Sequence, residues 1–242
     1  MEIAEVIRLA DNVRRDLAKI RTRETGAVMF VDLAGSTDYK AHHPDEDEWL
    51  PRLATFLLSA TRIIETNGRV VKYIGDEVMG FFNGPDAILD AEHSAERVLQ
   101  FCAQFTQYSF QAKVALDYGS VSMLDFVADK KVRFGRADPN GLTVDRCARI
   151  MSKTPGGVVL CSAPFRSASA AKTRWRSAGS FRAKGIPQIV KVFQMNYGSA
   201  ASITVKDAKM TLEECSKRLA KTEGQLDELR AFRKGLPRRP RA

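Results

Sequence analysis

No apolar run in this 242-residue chain approaches the roughly 18 residues that a membrane-spanning helix needs. The leading segment, MEIAEVIRLADNVRRDLAK, is charged throughout and lacks the apolar centre of a secretion signal. Cysteine is sparse, at Cys102, Cys147, Cys161 and Cys215, and no CxxC pair occurs. The three histidines, His42, His43 and His93, are not spaced to share a metal with any of them. A zinc site and a disulfide framework are therefore not expected. The thiols read as reduced and mostly buried, which suits a cytoplasmic protein. Acid is absent altogether between residues 146 and 206, a segment that carries 11 cations.

That last absence explains the charge. The chain has 38 Lys and Arg against 29 Asp and Glu, for a net +9. Residues 1–145 hold 17 cations and 23 acids, whereas residues 230–242 hold 6 cations and no acid. The basic character is thus two islands beside an acidic first half, not a uniformly basic surface. No element that reads nucleic acid accompanies it, so a stable nucleic-acid partner is not expected. At 44% hydrophobic and 28% charged, the composition is that of a globular domain.

Apolar spacing predicts a short amphipathic helix over residues 1–22, then a strand in AVMFVDL after Gly26. A helix follows from Trp49 to Thr66, its first turn primed by the acids of PDEDE. RVVKYIGDEVMGFF reads as a hairpin around Gly75-Asp76. A helix spans about Ala87 to Thr106, two strands cover Gln111–Tyr118 and Val121–Asp125, and a charged loop runs to Arg136. Leu142–Ser152 reads as a helix, with strands at VVLCS and Ile189–Met195; the Ser/Ala/Arg-rich segment 167–182 resists assignment. Residues 206–233 carry a heptad-like stripe, and the tail FRKGLPRRPRA is Pro- and Arg-rich. The core order of strand, helix, strand, strand, helix, strand predicts an α+β, ferredoxin-like sheet with helices on one face. Three regions result: a leading helix (1–22), a central domain (23–200), and a C-terminal helix with a basic tail (201–242).

Two aspartates carry the chemistry. Period two places Asp32 on a face with Val28 and Phe30, and a carboxylate there is costly without a partner. Asp76 sits in the hairpin turn. If the two strands are neighbours, the carboxylates meet at one edge and repel unless a divalent cation neutralises both. Oxygen ligands suit magnesium or manganese, which complete their shells with water and substrate phosphates. The AGST turn after Asp32 offers backbone N–H groups of Gly35, Ser36 and Thr37 to a phosphate. Spacing alone leaves open a plain turn at Asp76 and a plain cap at Asp32.

FVDLAGST, NGRVVKYIGDEVMGFF and GLTVDRCARI, in that order, resemble the class III nucleotidyl cyclases over about residues 26–197. The resemblance implies a cyclase homology domain that converts a nucleoside triphosphate to a 3′,5′-cyclic nucleotide and pyrophosphate. It assigns Asp32, Asp76 and the Leu33 carbonyl to two divalent cations, Mg²⁺ or Mn²⁺. Arg149 matches the family's transition-state Arg, Lys184 its triphosphate Lys, and Lys72 with Asp138 its base-recognising pair. It also implies a homodimer with shared active sites. The metals come from one subunit, and Lys72, Asp138, Arg149 and Lys184 from the other.

Two positions depart from the pattern. Asp145 stands where the family usually has a ribose-orienting Asn, which adds charge and removes N–H donors. Lys113 stands where a phosphate-binding Arg is usual, which keeps charge but loses the bidentate fork. Lys72 can only donate and an ionised Asp138 only accept, a pattern that uracil, adenine, guanine and cytosine can each meet. A small pocket would exclude purines, with Tyr73, Phe134 or Trp49 as its bulky walls. The compact layout and altered ribose position are similar to the pyrimidine cyclases of bacterial Pycsar anti-phage systems. That narrower resemblance implies UTP as substrate, cyclic UMP as product and a separate effector that reads it. An adenylate cyclase and a catalytically inactive nucleotide-binding module are the alternatives.

Overall fold

The computed structural model describes residues 3–105, 107–124, 127–129, 132–133 and 138–196. Helix α1 (Ile3–Ile20) leads directly into β1 (Arg21–Leu33). After the turn come α2 (Ser36–His42) and α3 (Glu46–Ile64), then the hairpin β2 (Arg69–Ile74) and β3 (Glu77–Asn83). Helix α4 (Ala87–Gln104) precedes β4 (Ala112–Leu124), the short hairpin β5 (Val127–Asp129) and β6 (Val132–Arg133), and β7 (Asp138–Asn140). Helix α5 (Leu142–Met151), β8 (Val158–Ser162), α6 (Ala163–Ala168), β9 (Trp175–Phe181) and β10 (Val190–Met195) complete the described chain. Among the described residues no helix is long and apolar enough to cross a membrane.

The main sheet runs β2-β3-β1-β4-β8-β10-β9, with β7 paired to β4. Its first four strands are all antiparallel in the order β4-β1-β3-β2, the ferredoxin-like arrangement. Strand β1 is central because its apolar stretch Ala27–Val31 is fully buried on both sides. One face packs Met29, Val31 and Leu33 against Phe56 and Ile64 of α3, Ala91 and Val98 of α4, and Phe165 of α6. The other packs Val28, Phe30, Met79 and Phe81 against Cys147, Ile150 and Met151 of α5. The expectation of helices on one face is thus corrected, because α5 covers the second. Its buried Thr143, Cys147, Ile150 and Met151 fall at helical spacing.

Three other expectations change. The strands expected at Gln111–Tyr118 and Val121–Asp125 are one strand, β4. Gly119 pairs with Gly26 of β1 within it, and it is glycine because α5 lies so close that a Cβ there would meet Thr143 Oγ1 at 2.7 Å. Strand β1 starts well before Gly26, because its charged RTRET stretch pairs with Ser120–Leu124. The unassigned stretch resolves into α6, a 3-10 turn at Lys172–Arg174 and β9. Buried Glu92 of α4 holds it by accepting a hydrogen bond from Trp175 Nε1 at 3.0 Å. Phe134 and the whole of residues 201–242, with the heptad stripe and tail, lie outside the described residues.

At Gly26 a close approach requires glycine, since a Cβ would overlap Phe82 O and lie 2.5 Å from Phe81 Cζ. Gly26→Ala should therefore cost about 2 kcal/mol in urea unfolding, the usual penalty for overpacking a rigid core. A cost near zero would mean that β1 and β3 are less tightly apposed there than described.

Candidate active site

The ends of β1 and β3 fix the two aspartates. Asp32 is the last residue but one of β1, and its cross-strand partners are Glu77 on β3 and Lys113 on β4. Directly opposed residues in a sheet point to the same side. Glu77, Asp32 and Lys113 therefore form a row across three strands, on the face that α5 covers further along. Asp76 lies one residue before Glu77 in the hairpin turn, where Gly75 takes the left-handed conformation at φ 64°. A cleft of about 290 Å³ opens here, lined by Asp32, Leu33, Gly35, Ser36, Thr37, Asp38, Asp76 and Lys113.

The expected juxtaposition of Asp32 with Asp76 is thus present. The turn AGST does more than expected. Gly35, at φ 69°, caps α2, and this short helix carries Ser36 and Thr37 into the cleft wall. Lys113 Nζ donates a hydrogen bond to Asp32 Oδ2, with side chains 30% and 15% exposed. Glu77 was not singled out from the sequence. Burial foremost, then the charges of Asp32 and Asp76, push its carboxyl up to about 7 against the pull of Lys113. Asp38 was also missed.

This donor set suits a hard divalent cation: two carboxylates and a strand-end carbonyl, with excess negative charge that an ion would relieve. Among the described residues no group of three or more His, Cys, Asp or Glu side chains is placed to hold an ion unaided. Magnesium or manganese tolerates that, since water and phosphate oxygens fill its remaining positions.

The other predicted residues stand apart from this cleft. Lys72 of β2 and Asp138 of β7, far apart in sequence, form an ion pair at 2.6 Å. With side chains 45% and 41% exposed, the pair contributes little to stability, and its groups are free to exchange partners. Tyr73, the next residue of β2, points to the other face of the sheet, where its hydroxyl shares a 2.8 Å hydrogen bond with Thr61 Oγ1 of α3, so it does not wall the space around Lys72 as expected. Trp49 instead lies under Lys40, 5.3 Å from ring centre to Nζ. Asp145 and Arg149 are both exposed on α5, and Lys184 is exposed in the turn between β9 and β10. None of Lys72, Asp138, Asp145, Arg149 or Lys184 lines the cleft of its own chain.

A buried charge cluster lies between the two groups. Asp117 of β4 is fully buried and faces Arg146 of α5, with Oδ2 2.6 Å from Nε. Its Oδ1 accepts from Arg146 Nη2 at 2.9 Å, from the Tyr118 amide at 2.7 Å and from Ser162 Oγ. Burial pushes the Asp117 carboxyl up, while Arg146, Ser162 and the Tyr118 N–H pull it back. The sequence held a signal for it. KVALD ends an apolar strand run on a carboxylate just as MFVD does at Asp32.

No family model matches the chain, and no curated protein matches it either. Solved structures do. The adenylyl cyclase CyaB from P. aeruginosa superposes with a TM-score of 0.63 at 21% identity, over 74% of this chain and 97% of that one. The guanylyl cyclase Cya2 gives 0.64 at 18%, over 76% and 98%. The guanylate cyclase domain of RhGC from Catenaria anguillulae, solved with GTP, gives 0.63 at 18%, over 72% and 98%. At such identities the likeness establishes architecture, and the chain therefore has the fold of a cyclase homology domain.

Proposed function

We propose that this chain is a homodimeric nucleotidyl cyclase that converts UTP to cyclic UMP and pyrophosphate, acting in the cytoplasm as an anti-phage second-messenger synthase. The observation that carries the cyclase reading is the single cleft that joins Asp32, Asp76 and Lys113 to the Gly35–Thr37 turn. Asp32, Asp76 and the Leu33 carbonyl would hold two divalent cations, Mg²⁺ or Mn²⁺. Such ions, when bound, neutralise the triphosphate and lower the pKa of the ribose 3′-hydroxyl. Lys113 would exchange Asp32 for a phosphate oxygen, and the amides of Gly35, Ser36 and Thr37 would receive others. The 3′-oxygen attacks the α-phosphorus, the bond to the β-phosphate breaks, pyrophosphate leaves and the hydroxyl proton passes to solvent.

Arg149 and Lys184 lie outside the cleft of their own chain, which favours a two-fold dimer in which they reach the partner's cleft. There they offset charge developing on the triphosphate, with Asp145 near the ribose. Lys72 would donate to uracil O4 and Asp138 accept from N3–H once the base parts them. Adenine satisfies the same pair through N1 and N6, so an adenylate cyclase is the second reading. The cyclic product would be read by a separate effector protein.

Incubation with each of the four nucleoside triphosphates and manganese, with products identified by mass, tests both readings. Cyclic UMP as the main product is expected. Cyclic AMP would reassign the base. Nucleotide binding without any pyrophosphate release would reduce the chain to a binding module.

A further inference from the structure

The Asp117 cluster has no part in binding the triphosphate or the metals, yet it is the most enclosed charged group described. Asp117 and Ser162 are each 0% exposed, and the Arg146 side chain is 17% exposed. Burying an ion pair gives little net stability compared with apolar side chains of the same size. Its geometry is more informative. Arg146 Nη2 donates one hydrogen bond to Oδ1, and its Nε lies 2.6 Å from Oδ2 as an ion contact outside hydrogen-bond geometry, so two nitrogens of the guanidinium face one carboxylate. Ser162 of β8 donates to the same carboxylate and also accepts the Phe165 amide at 3.2 Å, tying in α6.

Helix α5 otherwise rests on the sheet through Cys147, Ile150 and Met151, with the Cys147 thiol a weak donor to the Val28 and Ala115 carbonyls at 3.5 and 3.4 Å. Its N-terminal end is held by Thr143 Oγ1, which donates to the Ser120 carbonyl at 3.0 Å. Arg146 supplies the charged fixed point of the helix, three residues before Arg149. Catalytic groups need placement within about 0.5 Å, which packing alone does not guarantee.

We propose that Asp117 is a positioning residue: through its grip on Arg146, supported by Ser162, it sets the rotation and register of α5 and hence the direction of Arg149. This rests on the cyclase reading for the role of Arg149, but the placement of α5 does not. The test compares the full-length wild type with two variants. Asp117→Leu/Arg146→Met replaces the pair by apolar groups and should keep the melting temperature within a few degrees. Arg146→Lys keeps the charge but loses the second nitrogen that faces the carboxylate, and guards against a double variant that fails to fold.

Three readouts are taken: melting temperature, amide hydrogen exchange, and kcat with KM for the substrate found above. In both variants exchange should rise within 142–151 while β1 and β3 stay protected. kcat should fall about thirtyfold with KM within about threefold, since positioning acts in the transition state. Unchanged exchange in α5 overturns the proposal whatever the activity does. So does wild-type kcat in a stably folded variant, or a rise in KM alone. If the wild type makes no cyclic product, the cyclase reading fails, and exchange in α5 still decides whether Asp117 holds that helix.

Discussion

Replacing Asp76 by Ala is expected to lower cyclic nucleotide formation by at least about a thousandfold, or some 4 kcal/mol of transition-state stabilisation. The fold should not suffer. Asp76 is in a surface turn, outside both apolar clusters, and only Gly75 there needs the left-handed conformation. Removing one carboxylate beside Asp32 and Glu77 relieves like-charge repulsion. The melting temperature of metal-free protein should therefore hold or rise. Calorimetry in EDTA with a parallel activity assay separates the two effects. Activity within tenfold of wild type would show that the reaction does not depend on this cleft.

Arg149→Ala should be about as damaging, through loss of a cation aimed at developing phosphate charge. Its larger consequence appears on mixing. In a dimer with shared sites, an Asp76→Ala chain still supplies Arg149 and an Arg149→Ala chain still supplies both aspartates. Each mixed dimer then has one intact site of two. Equal mixing with free exchange makes half of all dimers mixed, so about a quarter of wild-type activity should return. The rate is followed against mixing ratio, with dimer exchange confirmed by differently tagged chains. No recovery among confirmed mixed dimers would mean that Arg149 serves the cleft of its own chain.

The ferredoxin-like core was legible because its apolar runs have strand length and its helices have clear spacing. The two aspartates were legible because a carboxylate closing an apolar strand, and another in a Gly-Asp turn, are local signals. Lys72 with Asp138 came from family resemblance, and the structure pairs them. What the sequence hid was register. Glu77 joins Asp32 only because β1 and β3 pair with those residues opposed. The second helical face was hidden for a related reason. The α5 stripe of Thr143, Cys147 and Ile150 is short and partly polar, so it did not announce which face of the sheet it would cover. Gly119 reads as a strand break, whereas pairing with Gly26 keeps it in the strand and close helix packing is what makes it glycine. Asp117 gives the same local signal as Asp32, but its partners Arg146 and Ser162 come from distant segments that no local pattern joins to it.

The pairing of β1 with β4 also governs how the molecule reaches its native state. Arg21 opposes Leu124 and Leu33 opposes Ala112, so the central strand waits for chain made long after it. The sheet then extends through a parallel β4–β8 contact, another long closure. Contacts this distant incur loop entropy before they gain anything, which places folding in the milliseconds-to-seconds range typical of non-local topologies. On a ribosome, β1, α3 and the β2–β3 hairpin emerge first, and Asp32 has no Lys113 to meet until β4 follows. The whole lining of the cleft, from Asp32 to Lys113, is nevertheless made before α5 and β8, so it can assemble while the second face of the sheet still lacks its helix.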